Sequence, residues 1–427
     1  MQQLVIKKVG KLRGTVEIPG DKSISHRAIM FAALCTGQSK IHNFLSSEDC
    51  LNTKKAFLRM GIKFVSRGKA LIVYGQGLQG LRAPAGPLDC GNSGTTMRLL
   101  SGILAGQDFT SVLTGDKYLR KRPMKRVIAP LRSMGAVILA AKDEFAPLHI
   151  RGGNLRGIDY QLPVASAQVK SCVLLAGLYA SGKTSVTEPL PTRDHTERML
   201  KFLGARITKQ GLKTTVAGDA LLKGNIISVP GDISSAGFLL VAGCIVPGAR
   251  IVLKNVGINP TRYGIIGVLR EMGADIKIRN KRNFGAEPVA DLEVAAAALR
   301  GITIDQKLIP NIIDEIPILA VAAACAQGRT VIRGAAELRV KETDRIKSMV
   351  TQLTKMGARI EEKEDGMIIE GTASLKGATV NSFGDHRTAM SLAVAAMVAA
   401  GHTVIKDTEC INTSFPGFEK ILRKLAG

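Results

Sequence analysis

Six short polar motifs in this chain have the residue types to bind anions. They are Asp21-Lys-Ser23, Asn92-Ser-Gly-Thr95, Ser166-Ala-Gln168, Asp232-Ile-Ser-Ser235, Asp314-Glu315 and Asp385-His-Arg387. Each precedes an apolar run that reads as a helix. A helix N-terminus has unpaired N–H groups and a partial positive charge. Taken singly, Ser, Asp and Asn there are ordinary caps. Four of the six, however, carry Lys or Arg within or just beyond the motif: Lys22 and Arg27, Arg98, Lys170, and Arg387. If the six helix starts converge on one cleft, they form a strong anion site.

A seventh motif imitates phosphate chemistry. Gly177-Leu-Tyr-Ala-Ser-Gly-Lys-Thr184 fits the G-x-x-x-x-G-K-[ST] pattern of nucleotide-binding loops. That loop needs a strand before it and a helix after it. Here Val169–Ala180 reads as an apolar helix and Thr184–Glu188 as a strand, so the match is accidental. Lys183 is expected to be a solvated surface residue.

The elements that must position these motifs repeat six times. One phrase closes a helical pattern, and in its first five occurrences a strand-like run follows: Leu58-Arg-Met-Gly61, Leu131-Arg-Ser-Met-Gly135, Phe202-Leu-Gly204, Leu269-Arg-Glu-Met-Gly273, Leu353-Thr-Lys-Met-Gly357 and Leu422-Arg-Lys-Leu425. The glycines suit the left-handed residue that ends a helix. A second phrase runs polar motif, apolar helix, glycine, β-rich segment, with helix-ending glycines expected at Gly37, Gly106, Gly182, Gly248, Gly328 and Gly401. The period is too long for a solenoid. Six helix/strand units instead predict an α/β (α+β) protein of two similar globular halves, three units each.

Composition narrows the function classes. The 427 residues carry 59 Lys plus Arg against 35 Asp plus Glu, a net charge of +24, which favours an anionic partner. Aromatic residues are only 4% and Trp is absent, which argues against stacking on nucleic-acid bases. The seven cysteines are odd in number and form no C-x-x-C pair, so neither a disulfide framework nor a zinc site is expected, and a reducing cytoplasm fits. The histidines form no ligand-spaced cluster. Met1–Gly10 reads as a polar strand-like run rather than a secretory leader. Apolar runs such as Ala389–Ala400 are shorter than the roughly 20 residues a spanning helix needs.

Several motifs, in order along the chain, resemble those of one family. Gly20-Asp-Lys-Ser-Ile-Ser-His-Arg27 looks like the N-terminal signature of EPSP synthases, which move the enolpyruvyl group of phosphoenolpyruvate onto shikimate 3-phosphate. Asn92-Ser-Gly-Thr-Thr-Met-Arg98, Leu113-Thr-Gly-Asp116 with Lys121-Arg-Pro123, Ser166-Ala-Gln168, Arg339-Val-Lys-Glu-Thr-Asp-Arg345, Gly384-Asp-His-Arg387 and Thr413-Ser-Phe-Pro416 resemble the later ones. Thr192-Arg-Asp-His-Thr196 and Ile313-Asp-Glu-Ile-Pro317 are closest to the class II branch. The sister family of UDP-N-acetylglucosamine enolpyruvyl transferases has Lys-Asn where this chain has Lys22-Ser23, and usually a Cys within the loop matching Gly115–Pro123.

The resemblance implies an inside-out α/β barrel fold with one domain from 1–20 and 231–427, the other from 21–230, and substrates bound between them. It implies that Lys22, Ser23, Arg27, Ser166, Gln168, Arg193, Asp314 and Lys341 hold shikimate 3-phosphate. Phosphoenolpyruvate would meet Lys22, Gly94, Arg122, Gln168, Glu342, Arg345 and Arg387. Both substrates carry a carboxylate and a phosphate, which explains the demand for Lys and for forked Arg contacts. The catalytic residues implied are Asp314 for the hydroxyl proton, Glu342 for the C3 proton and Lys22 as electrostatic support. No metal, cofactor, nucleic acid or membrane is implied, and a cytoplasmic monomer sensitive to glyphosate is expected. Two departures from the common pattern, Ala167 and Thr413, bear on how the donor phosphate is anchored.

Overall fold

The computed structural model describes residues 2–372 and 374–427. Its contacts divide the chain into two compact units. One comprises Gly20–Val229 with Phe284–Glu287; the other comprises Met1–Pro19, Pro230–Asn283 and Pro288–Gly427. Each has a separate apolar core. The short Phe284–Glu287 segment is the tip of a hairpin whose strands, Asp275–Phe284 and Glu287–Ala295, pair in a sheet of the second unit.

The 20–229 unit contains helices α1 (Lys22–Leu34), α2 (Glu48–Arg59), α3 (Gly94–Ala105), α4 (Lys125–Ser133), α5 (Ala167–Gly177) and α6 (His195–Phe202). The 230–427 unit contains α7 (Ile233–Ile245), α8 (Gly264–Glu271), the single turn α9 (Ile309–Ile312), α10 (Ile316–Ala324), α11 (Arg345–Lys355), α12 (His386–Ala396) and α13 (Phe418–Ala426). Helices α1, α3, α5, α7, α10 and α12 are buried almost all round, as core helices must be. The others have an apolar stripe and a wet face. Small residues let the inner helices approach closely: a Cβ on Gly102 of α3 would lie 2.2 Å from the Cys172 carbonyl oxygen of α5. Among the described residues, no helix is long and apolar enough to cross a membrane.

Each unit contains three sheets. In the 20–229 unit they share one plan. The strand after an inner helix pairs in parallel with a short strand on one side and antiparallel with a hairpin strand on the other. Thr36–His42, for instance, lies between Ile226–Ser228 and Ala70–Gln76. In the 230–427 unit, His402–Lys406 takes its antiparallel neighbour from the start of the chain, strand Gln3–Lys7.

The glycines of the first repeated phrase, Gly61, Gly135, Gly204, Gly273 and Gly357, all have positive φ and lie just past an outer helix, as their spacing predicts. The second set departs from expectation. Gly37, Gly182, Gly248, Gly328 and Gly401 have positive φ, but they lie a few residues beyond the helix, at the turn into the strand. Gly106 does end its helix, as the C-cap of α3, but its φ is −93°, and a Cβ there would run into the Tyr179 ring at 2.2 Å. It is glycine for want of space. Gly177–Thr184 runs from the last residue of α5 into strand Lys183–Thr187, the reverse of a phosphate loop, and Lys183 is exposed.

Candidate functional site

Five of the six inner helices begin with a side-chain cap. Asp21, Ser93, Ser166, Asp232 and Asp385 accept from backbone N–H groups of the first turn. The sixth, α10, has Glu315 at the cap position without a capping bond and Pro317 in its first turn. These caps set the direction in which the next side chains leave the helix.

In the 20–229 unit, Lys22 opens α1 and its Nζ lies 3.1 Å from Asp49 Oδ2 of α2. Ser23 follows, half-buried, and its carbonyl accepts from Arg27 Nη1 at 3.0 Å. Arg27 is buried and also donates to Thr196 Oγ1 at 2.7 Å and Ser171 Oγ at 2.8 Å. Burial pulls its guanidinium down to about 10 against the opposing charge of Glu197, and Arg193 adds to the lowering. A bound anion would relieve both penalties. Beside it, His26 is held well below its usual range by burial and by the charges of Lys22 and Arg27.

A second cluster in this unit surrounds Gly94, the first residue of α3. A Cβ there would stand 3.2 Å from Arg98 Nη1 and 3.3 Å from Arg122 Nη1. Arg122 donates to Asn92 Oδ1 at 2.5 Å. Arg98 donates to Gln168 Oε1 at 2.5 Å, and Gln168 Nε2 donates to Thr95 Oγ1 at 2.9 Å. The close packing of α3 on α5 thus brings Gly94, Arg122 and Gln168 together. Ser166 is occupied in capping α5, at 3.4 Å from Val169 N. Arg193 is half-buried just before α6. Lys170, counted among the anion-binding cations by its place in the motif, is a core residue instead. Its Nζ is fully buried between Glu188 at 2.8 Å and Glu197 at 2.7 Å.

In the 230–427 unit, one buried guanidinium joins three carboxylates. Arg345 reaches Asp385 Oδ2 through Nε at 2.8 Å, Asp314 Oδ1 through Nη1 at 3.1 Å, and Glu342 Oε2 through Nη2 at 2.6 Å. Burial opposes its charge, but Asp385, Glu342 and Asp314 more than compensate and hold its proton far above any working pH. Arg387 donates to the Asp314 carbonyl at 3.1 Å and lies 3.3 Å from its carboxylate. Asp314, Glu342, Arg345 and Arg387 therefore form one knot. Lys341 is 28% exposed, with Glu337 3.7 Å away. Thr413 bonds the Cys410 carbonyl at 2.7 Å and lies 3.3 Å from His386 Nδ1.

Burial raises all seven cysteine thiols, which leaves them poor nucleophiles. The arrangement suits electrostatic and proton-transfer chemistry on anions. Sequence reasoning passed over Asp49 beside Lys22 and the buried Arg262. Asp49 reads as an ordinary acid in the first turn of a helix. Arg262 had one visible signal, a cation inside the turn-forming run Asn259-Pro-Thr-Arg262.

Comparison with known proteins gives one consistent result. Residues 6–422 match the family described as EPSP synthase (3-phosphoshikimate 1-carboxyvinyltransferase). A protein from Brevibacillus brevis named 3-phosphoshikimate 1-carboxyvinyltransferase is 53% identical over 424 residues, 99% of this chain and 100% of the relative. A protein of the same name from Desulforamulus reducens is 54% identical over 426 residues, 99% of each chain. A solved EPSP synthase from Acinetobacter baumannii superposes with a TM-score of 0.89 at 48% identity, covering 100% of this chain and 98% of its own.

Proposed function

Because the chain belongs to the EPSP synthase family, we propose that its two clusters carry the two halves of one enolpyruvyl transfer. The enzyme is a 3-phosphoshikimate 1-carboxyvinyltransferase of the shikimate route to aromatic amino acids. It moves the enolpyruvyl group of phosphoenolpyruvate to the 5-hydroxyl of shikimate 3-phosphate and releases phosphate. The two units serve as its two three-repeat domains, 1–20 with 231–427 and 21–230.

The 5-hydroxyl oxygen attacks C2 of phosphoenolpyruvate while C3 takes up a proton. In the tetrahedral intermediate that results, C2 carries both oxygens. The bond from C2 to the phosphate oxygen then breaks, phosphate leaves with the electron pair, and C3 returns a proton. Asp314 takes the hydroxyl proton, Glu342 handles the C3 proton, and Lys22 stabilises the developing charge. Lys22, Ser23, Arg27, Ser166, Gln168, Arg193, Asp314 and Lys341 hold the acceptor. Lys22, Gly94, Arg122, Gln168, Glu342, Arg345 and Arg387 hold the donor.

The observation that carries the role assignment is the Arg345 fork, which binds Asp314 at 3.1 Å and Glu342 at 2.6 Å. A shared rigid guanidinium fixes the two proton-transfer groups relative to one another. The free thiols fit a cytoplasmic enzyme, and a monomer of 45.4 kDa is expected in sedimentation. The decisive assay follows steady phosphate release. It should require both phosphoenolpyruvate and shikimate 3-phosphate. Release with UDP-N-acetylglucosamine in place of the shikimate ester, or none with the pair, would sink the proposal.

A further inference from the structure

Arg262 has the geometry of a residue that acts on the reaction without touching a substrate. It leaves a turn built by Asn259, whose Oδ1 accepts from Thr261 N at 2.9 Å and whose carbonyl accepts from Arg262 N at 2.8 Å. The side chain then passes inward until it is 3% exposed. Its Nη2 donates to Ser234 Oγ at 2.7 Å and lies 3.5 Å from Asp232 Oδ1, both at the start of α7. The same guanidinium lies 3.9 Å from Glu315 Oε1 and 3.9 Å from Asp314 Oδ2, both at the start of α10. Ser234 in turn bonds Glu315. One buried cation therefore ties the ends of two inner helices together directly behind Asp314.

We infer that Arg262 is a positioning residue that aims the Asp314 carboxylate and keeps it ionised when the substrates are bound. The inference rests on Asp314 being the base for the 5-hydroxyl. The cations facing that carboxylate include Arg345 from α11, Arg387 from α12 and Arg262 from the turn before α8. The acids nearby are Glu315 next in the chain, Asp232 beside Arg262, and Glu342 and Asp385 on Arg345. Arg345 and Arg387 are proposed donor ligands, so an incoming anion shares their charge. Arg262 holds neither substrate in the proposed assignment and faces the opposite carboxylate oxygen, Oδ2 rather than Oδ1. Its charge on Asp314 is the one that substrate binding leaves unchanged. Its Nη2 also holds Ser234, which in turn bonds Glu315, and this sets the direction from which Asp314 enters the site.

An opposite charge within about 4–6 Å lowers a carboxyl pKa by roughly 1–3 units. Arg262→Gln should therefore move the acid limb of the kcat–pH profile upward by about 1 unit or more. The Michaelis constant for shikimate 3-phosphate should change far less than kcat. Arg262→Lys keeps the charge and should leave the limb in place, but loses the Nη2 bond to Ser234 and should lower kcat roughly tenfold or more. Asp314→Asn is the control on the underlying reading: if it turns over normally, the base assignment fails, whatever Arg262 does. If Asp314→Asn is inactive while Arg262→Gln keeps the parent's acid limb, the inference about Arg262 alone is overturned. Should Arg262→Gln fail to fold, Arg262→Lys decides, and kcat within about twofold of the parent's would overturn it.

Discussion

Arg345 Nη2 donates to Glu342 Oε2 at 2.6 Å from a side chain that is only 2% exposed. In this arrangement Glu342 accepts from Arg345, and its carboxyl must carry a proton to give one to C3. Glu342→Gln preserves an oxygen for Arg345 but removes the exchangeable proton. We expect turnover to fall roughly a hundredfold or more, the scale of a lost acid–base group. Calorimetric affinity for shikimate 3-phosphate should stay near the parent's. Near-normal turnover would remove Glu342 from the chemistry.

Substitution at Gly94 should act through the cations beside it. An alanine methyl would press on Arg98 and Arg122, whose Nη1 atoms stand 3.2 and 3.3 Å from the Cβ position. The geometry puts the pressure on guanidinium groups, that of the proposed donor ligand Arg122 among them. Overpacking by a methyl costs about 1–3 kcal/mol, or roughly 5- to 150-fold in affinity. Gly94→Ala should thus raise the inhibition constant for glyphosate by such a factor. Because Arg122 serves the donor as well, the Michaelis constant for phosphoenolpyruvate should rise too, by less. Two unchanged constants would show that the guanidinium ends yield freely.

His26 gives stability a pH dependence. It is buried against Thr53, 2.6 Å away, and its proton affinity is held well below the usual histidine range by burial and by the charges of Lys22 and Arg27. The unfolded chain binds a proton near its ordinary pKa while the folded one does not. The contribution is therefore full above about pH 6.5 and is lost as pH falls below it, by up to about 1.4 kcal/mol per unit. Unfolding free energies from urea titration at pH 7.5 and 5.5 should differ more for the parent than for His26→Gln, by on the order of 1 kcal/mol. Equal pH sensitivity in the two proteins would rule out this source.

Lys183→Ala should leave activity within about twofold, as expected for an exposed cation away from a phosphate group. Steady-state turnover measures it directly. A collapse would mean that the Gly177–Thr184 loop binds phosphate after all.

Local signals in this chain were legible where the physics is local. Asp21, Ser93, Ser166, Asp232 and Asp385 cap helices because their own side chains reach the next turn, and sequence reveals that much. The glycines past the outer helices obey the same logic. Gly106 did not, because its reason is Tyr179, a residue far along the chain. Lys170 looked like its cationic neighbours until Glu188 and Glu197 folded over it. Arg262 lay hidden for the same reason: its partners come from α7 and α10, and only packing brings them within reach.

The pairing of Gln3–Lys7 with His402–Lys406 sets an order of events on the ribosome. Residues 20–229 contain all the strands of three sheets and can close around their own core early, the Phe284–Glu287 tip apart. The other unit has to wait until its last sheet strands emerge, and domains completed early tend to fold first. Arg13–Glu17 lacks its neighbour until Arg250–Gly257 is made, and Gln3–Lys7 until His402–Lys406 is made; unpaired strands are the kind of edge that recruits other chains. Lys7, Lys8, Lys11 and Arg13 crowd this stretch. Like charges of that density keep waiting strands apart. Part of the strong positive charge of the molecule thus has a use before any substrate is met, as protection during the interval between the synthesis of a strand and that of its partner.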